Sequence, residues 1–331
     1  MKNEPLVAIA IPVYNGELYI RECLDHILAQ THQNWICCIT DNASIDNTYE
    51  IVQEYAASDS RFRIFRNPET TTPWKNFNIA YSRLVDIDAK YAKAEPADDW
   101  MYPECIEKMV EVLERDEEIG VCFAYSLKGK EVYSDGLDIN KGDVFDGKEL
   151  LHNYLKNGDY IVGCLGTPIY RMKALRELNP TLAIYNEQNI HCDVELANDI
   201  LKNWKAGFVY QVLTYYRLHS EQGLAMALRL NTDFYGHEVE YAKYMSEFDD
   251  INEEYRQHRL DYAFFLLNAR RKKDDKAIKW HRHYLDEHLK RSITREEENA
   301  AIIRQIKFYL KETRLNLKRM IKSLLLVLYR L

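Results

Sequence analysis

The pair Asp98-Asp99 stands where an apolar run, Tyr91-Ala-Lys-Ala94, gives way to Glu95-Pro96-Ala97, and it is followed by Trp100-Met101-Tyr102-Pro103. Adjacent carboxylates repel one another, and a divalent cation relieves that repulsion. Magnesium or manganese held by one or two carboxylates plus substrate phosphates needs no larger set of protein ligands. An acidic pair in a solvated turn or at a helix start has the same sequence, so the pair alone leaves both readings open. Asp41 closes a second apolar run, Trp35-Ile-Cys-Cys-Ile-Thr40. From such a position an acidic side chain accepts from a base N–H or a ribose hydroxyl, as in dinucleotide folds, although a helix-start residue would need no ligand.

These residues need strands to carry them. Leu6-Val-Ala-Ile-Ala-Ile-Pro12 is a third apolar run, broken by Val13-Tyr14-Asn15-Gly16. Between the first two strands Tyr19, Ile20, Cys23, Leu24, Ile27 and Leu28 recur at helical spacing. Buried strands without alternation, joined by an amphipathic helix, describe a parallel βαβ unit. Ligands of open α/β sheets bind at the carboxyl ends of such strands. The alternation predicts a helix over 47–57 capped by Asp46 or Asn47, and a strand over 63–66. A helix over 74–85 follows, with Phe77, Ala80, Tyr81 and Leu84 inward, then one from Pro103 to Leu113 and a strand over 120–125. Residues 128–147 are polar and Gly/Asp-rich, 150–155 helical, 160–171 extended, 191–204 helical and 208–217 a strand. The fold class expected is α/β, a doubly wound, mostly parallel sheet, with a C-terminal helical extension.

Composition narrows the functions. The chain has 331 residues, 47% of them apolar, and a formal net charge of −8. That size supports one large or two ordinary domains, and the acidic balance argues against a nucleic-acid binder. Seven cysteines without a CxxC pair fit reduced core thiols in a cytosolic protein rather than disulfides or zinc. The amino-terminal residues enter a strand almost at once, so no secretory signal is expected, and no apolar stretch reaches membrane-span length. The sequence has no GxGxxG after the first strand, no GxxxxGK[ST], no HExxH and no GxSxG.

The order of the pieces is more specific than any one of them. Ile11-Pro12-Val13-Tyr14-Asn15-Gly16, then Leu28-Ala29-Gln30-Thr31, then Asp41 through Asp46-Asn47-Thr48, then Asp98-Asp99-Trp100 with Pro103 follow one another. Asp193-Val194-Glu195-Leu196 and Tyr216-Arg217-Leu218-His219 complete the series. This succession resembles the family 2 inverting glycosyltransferases of the GT-A fold over about residues 5 to 222. The resemblance implies that Pro12, Val13, Tyr14 and Asn15 hold the nucleotide and that Asp41 meets the uracil edge of a UDP-sugar. It makes Asp98 the metal-binding aspartate, the last of an Asp-x-Asp, with Mn2+ or Mg2+ as cofactor. Asp99 would orient the sugar or the loop, and Asp193 would be the general base. Arg217 and His219 match an Arg-x-His element near diphosphate and metal, with His219 a second metal ligand. Pro96 replaces the first aspartate of Asp-x-Asp, Asn42-Ala43 stands where Asp-Gly is frequent, and the helix before the metal strand carries a longer tail, Val85 to Lys90.

Two regions are expected: 1–225, the nucleotide-sugar-binding catalytic domain, and 226–331, helical. In the second, Pro and Gly nearly vanish. From Arg304 to Arg330 eight basic residues face only Glu312, beside an apolar stripe of Ile303, Ile306, Leu310, Leu317, Ile321, Leu324, Leu325 and Leu328. A cationic amphipathic helix on an acidic protein reads as a membrane-surface anchor, and packing on the core or on a second copy in a homo-oligomer is the competing reading. The expected partners are a nucleotide-sugar donor and a glycan or lipid-linked acceptor in surface polysaccharide biosynthesis. The expected place is the cytoplasm, peripheral at the inner membrane face. The rival functions are a non-catalytic sugar-nucleotide-binding scaffold of the same fold and a nucleotidyltransferase. The latter should carry a basic Gly-rich N-terminal loop, which this sequence lacks.

Overall fold

The computed structural model describes residues 4–132, 137, 139–157, 161–185, 187, 191–219, 244 and 248. The chain divides into two compact units, Met1–Gly223 and Leu224–Leu331. Every element below lies in the first. Apart from residues 244 and 248, the helical region and basic tail expected after residue 225 lie outside the described residues.

The first half alternates strand and helix: β1 (Val7–Val13), α1 (Ile20–Leu28), β2 (Trp35–Asp41), α2 (Thr48–Ser58), β3 (Phe62–Arg66), α3 (Pro73–Ser82) and β4 (Tyr91–Ala94). A short β5 (Trp100–Met101), α4 (Cys105–Leu113) and the long β6 (Ile119–Lys128) follow. Two more short strands, β7 (Glu131–Val132) and β8 (Val144–Phe145), lead to α5 (Gly147–Asn157). The remainder is β9 (Ile169–Arg171), α6 (Met172–Leu178), α7 (Cys192–Leu201) and β10 (Lys205–Tyr216).

The sheet runs β3-β2-β1-β4-β9-β6-β10-β5, with β7 on β6 and β8 on β10. β1 pairs in parallel with β2 and β4, β2 with β3, and β6 with β10. β9 is antiparallel to both β4 and β6, so those two run the same way. Six strands therefore share one direction, and β9 with the three two-residue strands opposes them. The chain winds outward through β1, β2 and β3, then returns across the sheet to place β4 on the other side of β1. The order reverses between β1 and β4, and an open α/β sheet leaves its ligand crevice at the carboxyl ends of such a pair.

β1 and β2 are buried along nearly their whole length, which explains their unalternating apolar sequence. Val7, Ile9, Ile11 and Val13 belong to one core with Ile20, Leu24 and Ile27 of α1 and Ile106, Met109 and Leu113 of α4. Alternation turns the small Ala8 and Ala10 to the opposite face, where α3 packs on β1. Helix α3 corrects one detail of the apolar pattern. Ala80, Tyr81 and Leu84 are buried as expected, yet Phe77 is only half-buried, while Asn76 and Asn78 are inside. Their amides are satisfied: Asn78 donates to Tyr185 O and accepts from Tyr185 N, and Asn76 accepts from Asn67. Periodicity of apolar residues cannot register a helix face buried through hydrogen-bonded amides. The segment read as extended over 160–171 is a strand only at its last three residues, and α6 begins directly after it. All seven cysteines are buried free thiols.

Candidate active site

Two loops form one wall of the β1/β4 crevice. The β1–α1 loop and the β2–α2 loop are laced together by polar contacts. Asn15 N donates to Ser44 Oγ at 2.9 Å, Ile45 N to Asn15 Oδ1 at 3.0 Å, and Gly16 N to Thr48 Oγ1 at 2.7 Å. Glu17 N donates to Asp46, and Asn47 N returns a bond to Glu17. Asn15 and Ala43 both take left-handed backbone conformations, with φ of 49° and 58°. Asparagine tolerates that region and alanine does not, which gives a physical reason for glycine at the position of Ala43. Pro12 and Val13 are buried at the end of β1, and Tyr14 stands exposed at the mouth.

Asp41 lies beneath this wall, fully buried. Its carboxylate accepts from Ser44 N and meets Arg66 Nε at 3.1 Å. Arg66 also donates to Ser44 O and stacks its guanidinium over Tyr49. The acidic position expected for base recognition is thus already paired, and Arg66 at the end of β3 is a partner that the motif alone did not reveal. Asn42 turns into a separate network, donating to Thr71 O and accepting from Asn67 and Thr71.

The opposite wall is the turn after β4. Glu95 N donates to Ala10 O, the last rung that joins the turn to β1. Asp98 Oδ2 lies 2.9 Å from His219 Nε2, which brings together residues 121 apart in the chain. Arg217 Nε donates to Asp98 O, and Arg217 N donates to Asp99 Oδ1, both at 2.9 Å. Asp99 is buried, and burial together with the charge of Asp98 pushes its carboxyl well above the usual range. Its observed hydrogen bond ties the turn to the exit of β10. Aromatic rings stiffen the same junction: Trp100 stacks on His26 and on Tyr215, with centroids 4.4 and 4.8 Å apart.

A buried ion pair underlies the turn. Lys93 Nζ and Glu95 Oε2 meet at 3.2 Å, with side chains 0% and 1% exposed. Neither atom has another partner among the described residues. Burial alone would depress the Lys93 ammonium, but the Glu95 carboxylate holds it above its ordinary value. Burial in turn raises Glu95, an effect Lys93 partly offsets. The segment before β9 presses on the same turn through Gly166, where a Cβ would stand 2.8 Å from Pro96 Cδ.

Asp193 occupies the first turn of α7. Burial pushes its carboxyl up to about 6, against the smaller opposing pull of the Val194 and Asp193 backbone N–H groups. Its charge is felt by the Tyr170 phenol on β9, the strand that flanks β4. Asp98, Asp99, Arg217 and His219 therefore form one connected cluster, and Pro12 to Asn15 with Asp41 form the facing wall. Asp193 stands on the β9 side. Among the described residues no group of three or more His, Cys, Asp or Glu side chains is arranged as a metal cage.

The sequence profile described as Glycosyl transferase family 2 matches residues 8–178, more than half of the chain. The chain belongs to this family. It is therefore a glycosyltransferase. An uncharacterized glycosyltransferase of Haemophilus influenzae is 28% identical over 227 residues, covering 67% of this chain and 68% of that protein. A putative teichuronic acid biosynthesis glycosyltransferase of Bacillus subtilis, TuaG, is 29% identical over 170 residues, or 51% of this chain and 63% of the relative. The matched part spans about a third of the length of several other curated relatives. Among solved structures, S. aureus TarS 1-349 in complex with UDP-GlcNAc superposes with a TM-score of 0.64 at 15% identity, covering 94% of this chain and 92% of the TarS 1-349 chain. At that identity the likeness establishes the GT-A glycosyltransferase fold.

Proposed function

We propose that this family 2 enzyme is a metal-dependent inverting glycosyltransferase that moves a sugar from a nucleotide-diphosphate sugar, a UDP-sugar, to a glycan or lipid-linked acceptor. The product is a surface polysaccharide, a class suggested by the name of the TuaG relative. One observation carries the reading. The β1/β4 switch point brings the Asp98 carboxylate and the His219 imidazole within 2.9 Å of each other, with Arg217 on the same turn.

Asp98 and His219 would hold the Mn2+ or Mg2+ ion, the carboxylate oxygen being the ligand both ions favour. When bound, the cation neutralises charge gathering on the departing diphosphate. The chain supplies the rest. Pro12, Val13, Tyr14 and Asn15 line the wall for the nucleoside, and Asp41, buried beneath it and paired with Arg66, would meet the base edge only by exchanging that partner. Arg217 adds a cation beside the diphosphate, where fixed positive charge is worth most. Asp99 holds the turn and β10 in register for the sugar. Asp193 takes the proton from the acceptor hydroxyl, whose oxygen attacks the anomeric carbon as the diphosphate leaves from the opposite face. A carboxyl held near 6 is ionised at neutral pH and basic enough for that transfer.

The basic C-terminal stripe supports a peripheral place on the inner face of the cell membrane, where a lipid-linked acceptor would be met. Among the described residues no helix is long and apolar enough to cross a membrane. The test is transfer from a panel of UDP-, GDP- and dTDP-sugars with Mn2+ and with chelator, together with UDP calorimetry on Asp98→Asn. The expected result is chelator-sensitive transfer from a UDP-sugar, and an Asp98→Asn protein with an unchanged circular dichroism spectrum but no metal-dependent gain in UDP affinity. Transfer undiminished by chelator, or an unaltered metal effect in the variant, overturns the assignment.

A further inference from the structure

Helix α1 contributes two side chains to this site that no motif marks. Tyr19, the residue that caps α1, places its ring between the two functional groups beyond β10. The Arg217 guanidinium lies 4.9 Å from the ring centroid, and the His219 ring lies 4.9 Å away on a tilted contact. One turn on, Glu22 forms an ion pair with Arg217 Nη2. The carboxylate is half-exposed, and the guanidinium is 23% exposed. Arg217 is thus gripped from two sides, by Glu22 and Tyr19 of α1 and by the Asp98–Asp99 turn.

We propose that Tyr19 and Glu22 are positioning residues, a latch on α1 that holds the Arg217-Leu218-His219 segment against the Asp98 turn. Neither side chain belongs to the buried apolar core. Their described ring, cation and ion-pair contacts are directed at Arg217 and His219. Without the latch, the segment loses the α1 surface that orders the guanidinium and the imidazole. Cation–ring and charge-assisted contacts of this kind act through geometry, since an arginine held in one place loses less freedom when it meets a phosphate. The proposal rests on the reading of Asp98, Arg217 and His219 as the diphosphate–metal group.

The test uses the full chain and three variants: Tyr19→Leu, which removes the ring, Tyr19→Phe, which keeps it, and Glu22→Gln. Hydrogen exchange of the peptide spanning 215–219, measured without ligand, reads the latch itself. Calorimetry with UDP, with and without Mn2+, and the donor KM read its consequence. Tyr19→Leu and Glu22→Gln are expected to speed exchange in that peptide and to weaken UDP binding and raise donor KM about tenfold, equivalent to about 1.4 kcal/mol. Acceptor KM and the midpoint of unfolding should stay at wild-type values, and Tyr19→Phe should restore both readouts. Unchanged exchange in Tyr19→Leu and Glu22→Gln overturns the latch, whatever the site binds. Faster exchange with unaltered UDP affinity and donor KM overturns its positioning role. Failure of the wild type to bind UDP would count against the reading of the site, and the exchange result would still decide the latch.

Discussion

Replacing Asp193 with asparagine should make the protein more stable and nearly inactive at once. The carboxylate sits in the first turn of α7 with burial raising its proton affinity from 3.8 to about 6. At 1.36 kcal/mol per tenfold, that rise corresponds to about 3 kcal/mol. The sign follows from linkage. A carboxyl whose folded-state affinity is raised leaves stability intact below about 3.8, its unfolded value, and lowers it as pH climbs through about 6. Above that point the folded protein carries a desolvated charge, which an isosteric amide does not. Asp193→Asn is therefore expected to gain up to about 3 kcal/mol at pH 8 and about half as much at pH 5. The figure is a ceiling, because the residue keeps a partial opening to solvent. Urea titrations of both proteins at the two pH values measure it. The same substitution should lower kcat about 10²–10⁴-fold with little change in donor affinity, and wild-type kcat should fall as pH drops through about 6. Equal stability at pH 8 would refute the desolvated site. Near-normal turnover would reduce Asp193 to a helix-terminal residue.

Three other outcomes follow from the same structure. Lys93→Met strands the Glu95 carboxylate in the core and should cost about 3–5 kcal/mol, whereas Lys93→Met with Glu95→Leu should recover most of it; urea midpoints of the single and double variants decide this, and a neutral single variant would show that the pair is not desolvated. Ala43→Gly relieves a left-handed alanine and should raise stability by about 1 kcal/mol, read as a higher melting temperature. A chain ending near residue 299 should keep UDP binding yet lose sedimentation with anionic vesicles at low salt, since each basic residue near such a surface contributes about 1 kcal/mol. Equal vesicle binding by the full and shortened chains would leave the tail as a packing or oligomerisation element.

The parts of this site that sequence made legible are those whose chemistry coincides with a change of element. Asp41 closes an apolar run and Asp98 stands just beyond a short strand, so strand ends announced them. His219 and Arg217 follow β10 in the same way. Burial of an apolar strand on both faces leaves a signature that no polar loop imitates, and the parallel half of the sheet was readable for that reason. The insertion of β9 was not. Three residues, Ile169–Arg171, wedged antiparallel between β4 and β6, carry too short a pattern to show direction, and only the register reveals it. Polar burial was equally silent. Asn76, Asn78, Lys93 and Glu95 look like surface residues of a helix and a strand end, and each is inside because a polar partner meets it there: Tyr185, far along the chain, for Asn78, Asn67 for Asn76, and each other for Lys93 and Glu95.

The pattern of what was missed bears on how the site works. Asp98, Asp99, Arg217 and His219 would be four solvated polar side chains on two loops without Lys93 and Glu95 beneath the turn and Tyr19 and Glu22 beside it. Lys93 places a positive charge against the Glu95 carboxylate beneath the turn, and both Glu95 and Asp99 are raised by burial and by the neighbouring charge of Asp98. That crowding disfavours the charged forms of Glu95 and Asp99. A cation at Asp98 and His219 would relieve the repulsion of Asp98 on its neighbours, as Lys93 offsets the charge of Glu95. Metal affinity should therefore depend on a residue that never touches the metal. On the proposed reading, a cation at the turn after β4 would lower the repulsion among its carboxylates, so its binding and that of a diphosphate should reinforce each other.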